Sequence, residues 1–130
     1  MTKKVLVVDD DPDVRLFNIT VVEDNGFTPL EATNGEEGMR LIQNEQPDLV
    51  ILDVLMPRES GVRLYRQIKT DPKLKKIPVI ILSGITEKSF LRSQKALTEF
   101  GGDAVPEPEA YLEKPVEPEE LAAAIQAVLG

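Results

Sequence analysis

Three stretches of this chain are four unbroken Val, Leu or Ile residues: Val5-Leu6-Val7-Val8, Leu49-Val50-Ile51-Leu52 and Val79-Ile80-Ile81-Leu82. Each is short and rich in β-branched residues, which suits a strand better than a buried helix. A strand with one wet face alternates polar and apolar residues. These runs do not alternate, so both of their faces are covered, as in a parallel sheet packed between helices. The segments between them carry helical signals. Asp11 is a natural N-cap with Pro12 in the first turn; Val14, Phe17, Val21 and Val22 are read as the inward face, and Asn25-Gly26 as the stop. Phe27 to Ala32 reads as a strand, and Asn34-Gly35 starts a helix to about Glu45 with Met39 and Ile42 inward. Further helices are expected over about Ser60 to Thr70, Thr86 to Phe100 and Pro118 to Leu129, with a short fifth strand at Ala110-Tyr111-Leu112. Five βα units in succession predict an α/β fold, a doubly wound five-stranded parallel sheet with helices on both faces.

The chain's 130 residues suit one domain spanning 1–130, long enough to bury a core without staples. Cysteine and histidine are both absent. That excludes a disulfide framework, a thiolate zinc site, and any histidine base, ligand or phosphohistidine of the chain's own. The net charge of −8 argues against direct contact with nucleic acid, whose phosphates need a basic face. The four apolar residues after Met1-Thr2-Lys3-Lys4 are too few for a signal peptide, and no run is long enough to span a bilayer. The expected setting is cytoplasmic, without membrane insertion.

In an open parallel sheet, ligands sit beyond the carboxyl ends of the strands. The residues just past those ends are Asp9 and Asp10, then Asp53, then Ser83, then Lys114. Topology therefore gathers three carboxylates, a hydroxyl and an ammonium on one edge. Taken singly, each has an ordinary reading: a solvated loop acid, a turn serine, a surface lysine, and for Asp11 a helix cap. Jointly they suit a hard divalent cation such as Mg²⁺, which takes oxygen ligands and offsets the repulsion among the aspartates. A carboxylate so placed can attack a phosphoryl group, with the hydroxyl and ammonium holding the phosphoryl oxygens.

Four segments together carry a resemblance: Val5-Leu6-Val7-Val8-Asp9-Asp10-Asp11-Pro12, the run from Leu49 through Asp53 to Met56-Pro57, Ile80-Ile81-Leu82-Ser83-Gly84, and Tyr111-Leu112-Glu113-Lys114-Pro115. The chain resembles the CheY-like receiver domains of two-component response regulators over nearly its whole length. The resemblance implies a flavodoxin-like (βα)5 fold with strand order 2-1-3-4-5. It implies that Asp53 is the phosphoacceptor, supplied by a sensor histidine kinase or a histidine phosphotransfer protein. Mg²⁺ would be held by Asp10 and Asp53, by Asp9 largely through water, and by the backbone carbonyl of Leu55. Ser83 and Lys114 would bind the phosphoryl group, Lys114-Pro115 would be a cis peptide, and Tyr111 would be a switch following Ser83. Such a protein is regulatory rather than an enzyme, although it promotes its own phosphorylation and dephosphorylation. Its output partner would be met at the face of helix 4, strand 5 and helix 5, and a homodimer is compatible with that arrangement. Tyr111 also has a plain alternative as a half-buried strand aromatic.

Two departures stand out. The stretch from Ser83 to Lys114 is longer than the family pattern, with the surplus around Glu99 to Glu109. The residues two beyond Asp53 and Ser83 are apolar, Leu55 and Ile85, where the family guides a hydrolytic water. The chain also stops after the fifth helix, as expected either of a stand-alone regulator or of a piece of a larger one. Among rival readings, an aspartate-based phosphatase would need a second acid where Leu55 stands. A nucleotide or flavin carrier would have to seat phosphate against three aspartates. The remaining alternative is a pseudo-receiver that docks without being phosphorylated.

Overall fold

The computed structural model describes residues 2–54, 60–99 and 105–130. Strands β1 (Lys4–Val8), β2 (Thr28–Ala32), β3 (Leu49–Asp53), β4 (Val79–Ser83) and β5 (Ala110–Glu113) alternate with helices α1 (Pro12–Asp24), α2 (Gly35–Glu45), α3 (Ser60–Thr70), α4 (Glu87–Glu99) and α5 (Pro118–Leu129). All strand pairs are parallel, in the order β2-β1-β3-β4-β5. The three apolar runs form the middle of the sheet, and each is buried along its length. Because successive strand residues point to opposite faces, each run feeds two cores. Leu6, Val8, Val50, Leu52, Val79 and Ile81 pack with Ile42, Leu64, Ile68 and Phe90 on the α2, α3 and α4 side. Val5, Val7, Leu49, Ile51, Ile80 and Leu82 pack with Ile19, Val22, Leu121 and Ile125 on the α1 and α5 side.

Helix starts follow the capping chemistry. Asp11 Oδ1 accepts from the backbone N–H of Asp13 at 2.9 Å and of Val14 at 3.2 Å, and Asn34 Oδ1 accepts from Glu37 N at 2.8 Å. The first helix stops at Asn25, and Gly26 follows at φ 85, a left-handed conformation that costs glycine least. The face of α1 differs from the expected one. Asn18, Ile19, Val21 and Val22 are buried, whereas Phe17 is 37% exposed and Leu16 63%. Apolar residues surround this helix, so periodicity did not single out an arc. Phe17 lies about 100° from Asn18 around the axis and falls outside the arc that meets the sheet.

Of the stretch read above as surplus, Glu99 to Glu109, residues 100–104 lie outside the described region, which resumes at Val105. The end of the stretch is clamped. Glu109 N donates to Val79 O (3.1 Å), and Glu109 Oε1 accepts from Val79 N (2.7 Å). The same carboxylate pairs with Lys69 Nζ from α3 at 2.9 and 3.2 Å, and that ammonium also donates to Ile77 O at 3.0 Å. The Lys69 side chain is 1% exposed. A buried ammonium is tolerable only with such partners. Lys69→Ala should therefore lower stability by about 1–3 kcal/mol in urea unfolding, leaving Glu109 half-solvated and the α3 stem unfilled. A loss within ~0.5 kcal/mol, the range of ordinary surface changes, would show that the pair is solvated in solution.

Candidate phosphoryl-acceptor site

The end of β1 delivers Asp9 and Asp10, and the end of β3 delivers Asp53 one strand over, with Val8 paired to Leu52. Carboxylate oxygens of Asp9, Asp10 and Asp53 lie within 4.8 Å of one another. Asp9 and Asp53 are buried, while Asp10 is exposed and forms the mouth of the cluster. The Asp9 backbone is fixed from both sides: its N–H donates to Ala32 O (3.1 Å) and its carbonyl accepts from Arg15 Nη1 (2.8 Å). Its Oδ1 accepts from Asp11 N at 2.9 Å. Its Oδ2 is buried without a hydrogen-bond partner among the described residues. Burial pushes the Asp9 carboxyl up to about 6, and the neighbouring charges of Asp53 and Asp10 push the same way; the Asp11 N–H and the Lys114 ammonium oppose them.

Lys114 arrives from the end of β5. Its backbone N–H donates to Ser83 O at 2.7 Å, which ties the β5 exit to the β4 exit. Its Nζ donates to Asp53 Oδ2 at 2.8 Å, across 61 residues of sequence. The Lys114–Pro115 peptide is cis. Ser83 is fully buried at the end of β4, and its Oγ accepts from Ile85 N at 3.1 Å. Tyr111 on β5 donates its hydroxyl to Ile85 O at 2.8 Å. Burial raises the Tyr111 phenol, and the Ser83 hydroxyl offsets part of that rise. Ile85 thus links the two side chains, its N–H to Ser83 and its carbonyl to Tyr111.

The residues singled out at the strand ends are therefore brought to one edge of the sheet, with Asp9, Asp10, Asp53 and Lys114 in one cluster and Ser83 and Tyr111 joined beside it. Leu55 lies outside the described residues. Sequence reasoning passed over Arg15, which holds the Asp9 carbonyl. The available signal was a cation one helical turn after the Asp11 cap, a position from which a side chain reaches back over the preceding loop.

The pattern of the response regulator receiver domain matches residues 5–126. The chain belongs to that family. Its receiver fold is shared with the chemotaxis response regulator CheY4 of Vibrio cholerae, with a TM-score of 0.81 and 28% identity, covering 99% of this chain and 100% of that one. Protein PilH of Pseudomonas aeruginosa is 35% identical over 131 residues, 98% of each chain. The phosphate regulon transcriptional regulatory protein PhoB of Escherichia coli is 32% identical over 99% of this chain. This receiver domain spans only 52% of PhoB, about half the length of the curated relatives it matches first. The fold is the flavodoxin-like arrangement of CheY, and the chain is a receiver domain of the two-component response-regulator family. No helix among the described residues is long and apolar enough to cross a membrane.

Proposed function

We propose that this receiver domain takes a phosphoryl group onto Asp53 from a phosphohistidine of a sensor histidine kinase or histidine phosphotransfer protein. The contact between Lys114 Nζ and Asp53 Oδ2 carries this reading, made beside two further carboxylates. An Asp53 oxygen attacks phosphorus; the P–N bond to the donor imidazole breaks, its electron pair stays on the imidazole nitrogen, and an acyl phosphate forms. Lys114, released from the carboxylate oxygen, is within reach of a phosphoryl oxygen. The donor set fits Mg²⁺: all ligands are oxygen, two carboxylates are buried, and Asp9 Oδ2 has no hydrogen-bond partner among the described residues. Asp10 and Asp53 would hold the ion directly and Asp9 largely through water, with Leu55 supplying a carbonyl. When bound, Mg²⁺ neutralises charge on the transferring oxygens. Ser83, Lys114 and Tyr111 then respond to the phosphoryl group, which carries about two negative charges where the carboxylate carried one, and shift the face of α4, β5 and α5 toward an output-competent arrangement. The output partner binds that face.

Leu16 and Phe17, exposed on α1, the helix that follows the Asp9-Asp10 strand end, offer apolar contact to the phosphodonor. A cytoplasmic setting and a span of one receiver domain over 1–130 fit this reading. The pseudo-receiver alternative has no observation in its favour among the described residues.

Intact mass after incubation with acetyl phosphate tests the proposal. A single phosphoryl adduct should form with Mg²⁺ and fall to background in EDTA. An adduct indifferent to Mg²⁺, or none at all, would overturn it. The adduct should also be long-lived without a phosphatase, since Ile85 and Leu55 offer no polar group to a hydrolytic water. Making both polar should shorten its lifetime, and a lifetime of seconds unaffected by that change would remove this explanation.

A further inference from the structure

The surplus segment before β5 is joined to the phosphoacceptor edge by a line of aromatic side chains. Tyr111, bonded to Ile85 O, packs its ring against Phe90 of α4 with centroids 5.5 Å apart and planes at 44°. Phe90 is fully buried and meets Tyr65 of α3 edge-on at 5.6 Å and 74°. Tyr65, also fully buried, donates its hydroxyl to Pro106 O in the surplus segment. Four elements are linked without a gap: the β4–α4 turn, β5, α4 and α3, ending on the loop.

The loop is held differently at its two ends. At Glu109 it is fastened by two backbone-directed bonds to Val79 and the ion pair with Lys69. Toward its other end the Tyr65 hydroxyl bonds to Pro106 O and Val105 packs, partly buried, against the core that holds Tyr65 and Phe90, while Glu107 between them and the clamp is exposed. At the other end of the line, Ile85 N donates to Ser83 Oγ. A Ser83 hydroxyl that turns toward a phosphoryl group on Asp53 leaves that N–H without its acceptor. With that anchor gone, rotation about the Ile85 backbone dihedrals can re-aim the Ile85 carbonyl, which is the acceptor of Tyr111. Close-packed rings pass such a shift on because they have few alternative packings.

We propose that Tyr65 couples the state of Asp53 to the segment Val105–Glu109, which forms a second responsive surface beside the α4-β5-α5 face. This rests on the phosphoacceptor reading above. The effect on the loop is carried by Tyr65 and Phe90, neither of which touches the acidic cluster.

The chain has no cysteine, so Glu107→Cys gives one attachment point for an environment-sensitive fluorophore. Emission and intact mass are followed together on adding acetyl phosphate and Mg²⁺. The expected result is an emission shift that grows with the phosphoryl adduct and is lost in Asp53→Asn. In Tyr65→Phe, which removes only the hydroxyl, and in Phe90→Leu, which breaks the ring line, the adduct should persist while the shift is at least halved. A full adduct with no emission shift would overturn the coupling and leave the phosphoacceptor reading standing. A shift undiminished in both variants would overturn the route through Tyr65. Absence of any adduct would overturn the phosphoacceptor reading and the coupling with it.

Discussion

Asp53→Asn should abolish the acetyl phosphate adduct, lowering its rate of formation by at least about 100-fold. An amide nitrogen does not replace a carboxylate oxygen as nucleophile, and the neighbouring acids are poorly placed to substitute. Asp9 is buried and its Oδ1 is held by the Asp11 N–H, so it is fixed in place. Asp10 is exposed, and the Lys114 ammonium bonds to Asp53. The fold should survive, because two local effects oppose each other. The variant loses the Lys114 ion pair but also removes the charge that Asp9 opposes. Intact mass with peptide mapping reads the first effect and thermal unfolding the second. An adduct retained at a tenth of the wild-type rate or more, mapped to Asp10, would reassign the acceptor.

Without Mg²⁺, Asp9→Asn should make the protein more stable at pH 8 and leave it unchanged near pH 4. The Asp9 carboxyl rises from 3.8 to about 6 on folding, chiefly through burial, then through Asp53 and Asp10. The folded state therefore holds this proton more tightly than the unfolded chain does. Stability linked to Asp9 is complete below about pH 4, is lost as pH rises toward about 6, and stays lost above that. A shift of this size corresponds to at most ~3 kcal/mol, and relaxation around the charge brings the expected gain at pH 8 to about 1–2 kcal/mol. Urea unfolding in EDTA at several pH values measures it. Adding Mg²⁺ should reverse the order of stabilities at pH 8, because ligand binding to the folded wild type stabilises it and the amide variant lacks one oxygen anion. A variant less stable at pH 8 in EDTA, or a difference that does not change with pH, would show that Asp9 is not charged against its burial.

How much of the site could be read in advance depends on how far each feature relies on the backbone alone. A parallel sheet brings the carboxyl ends of its strands to one edge whatever the side chains do. Once Val5–Val8, Leu49–Leu52 and Val79–Leu82 are recognised as strands buried on both faces, the neighbourhood of Asp9, Asp10, Asp53, Ser83 and Lys114 follows. Caps are equally local: Asp11 and Asn34 bond to N–H groups two or three residues away. These features follow from nearest-neighbour chemistry and the period of the strand.

Other features required contacts between elements far apart in the chain. Six apolar residues surround α1, so only its seating against the sheet and α5 determined that Ile19 and Val22 are buried and Phe17 is not. Asp9 and Asp10 are adjacent and identical, yet one is buried and the other forms the mouth of the site, because Asp9 is held by bonds to Ala32 O on β2, Arg15 on α1 and Asp11 N. Lys69 has the composition of a surface residue and became buried because Glu109, 40 positions away, met it. Tyr65, Phe90 and Tyr111 belong to three elements and align only when α3, α4 and β5 share one core. The sequence by itself determined the strands, the edge they converge on and the chemistry that edge carries. The tertiary structure alone decided which carboxylate Lys114 bonds, which aspartate bears the cost of burial and how the segment before β5 is joined to the site, since these depend on long-range packing that no local pattern encodes.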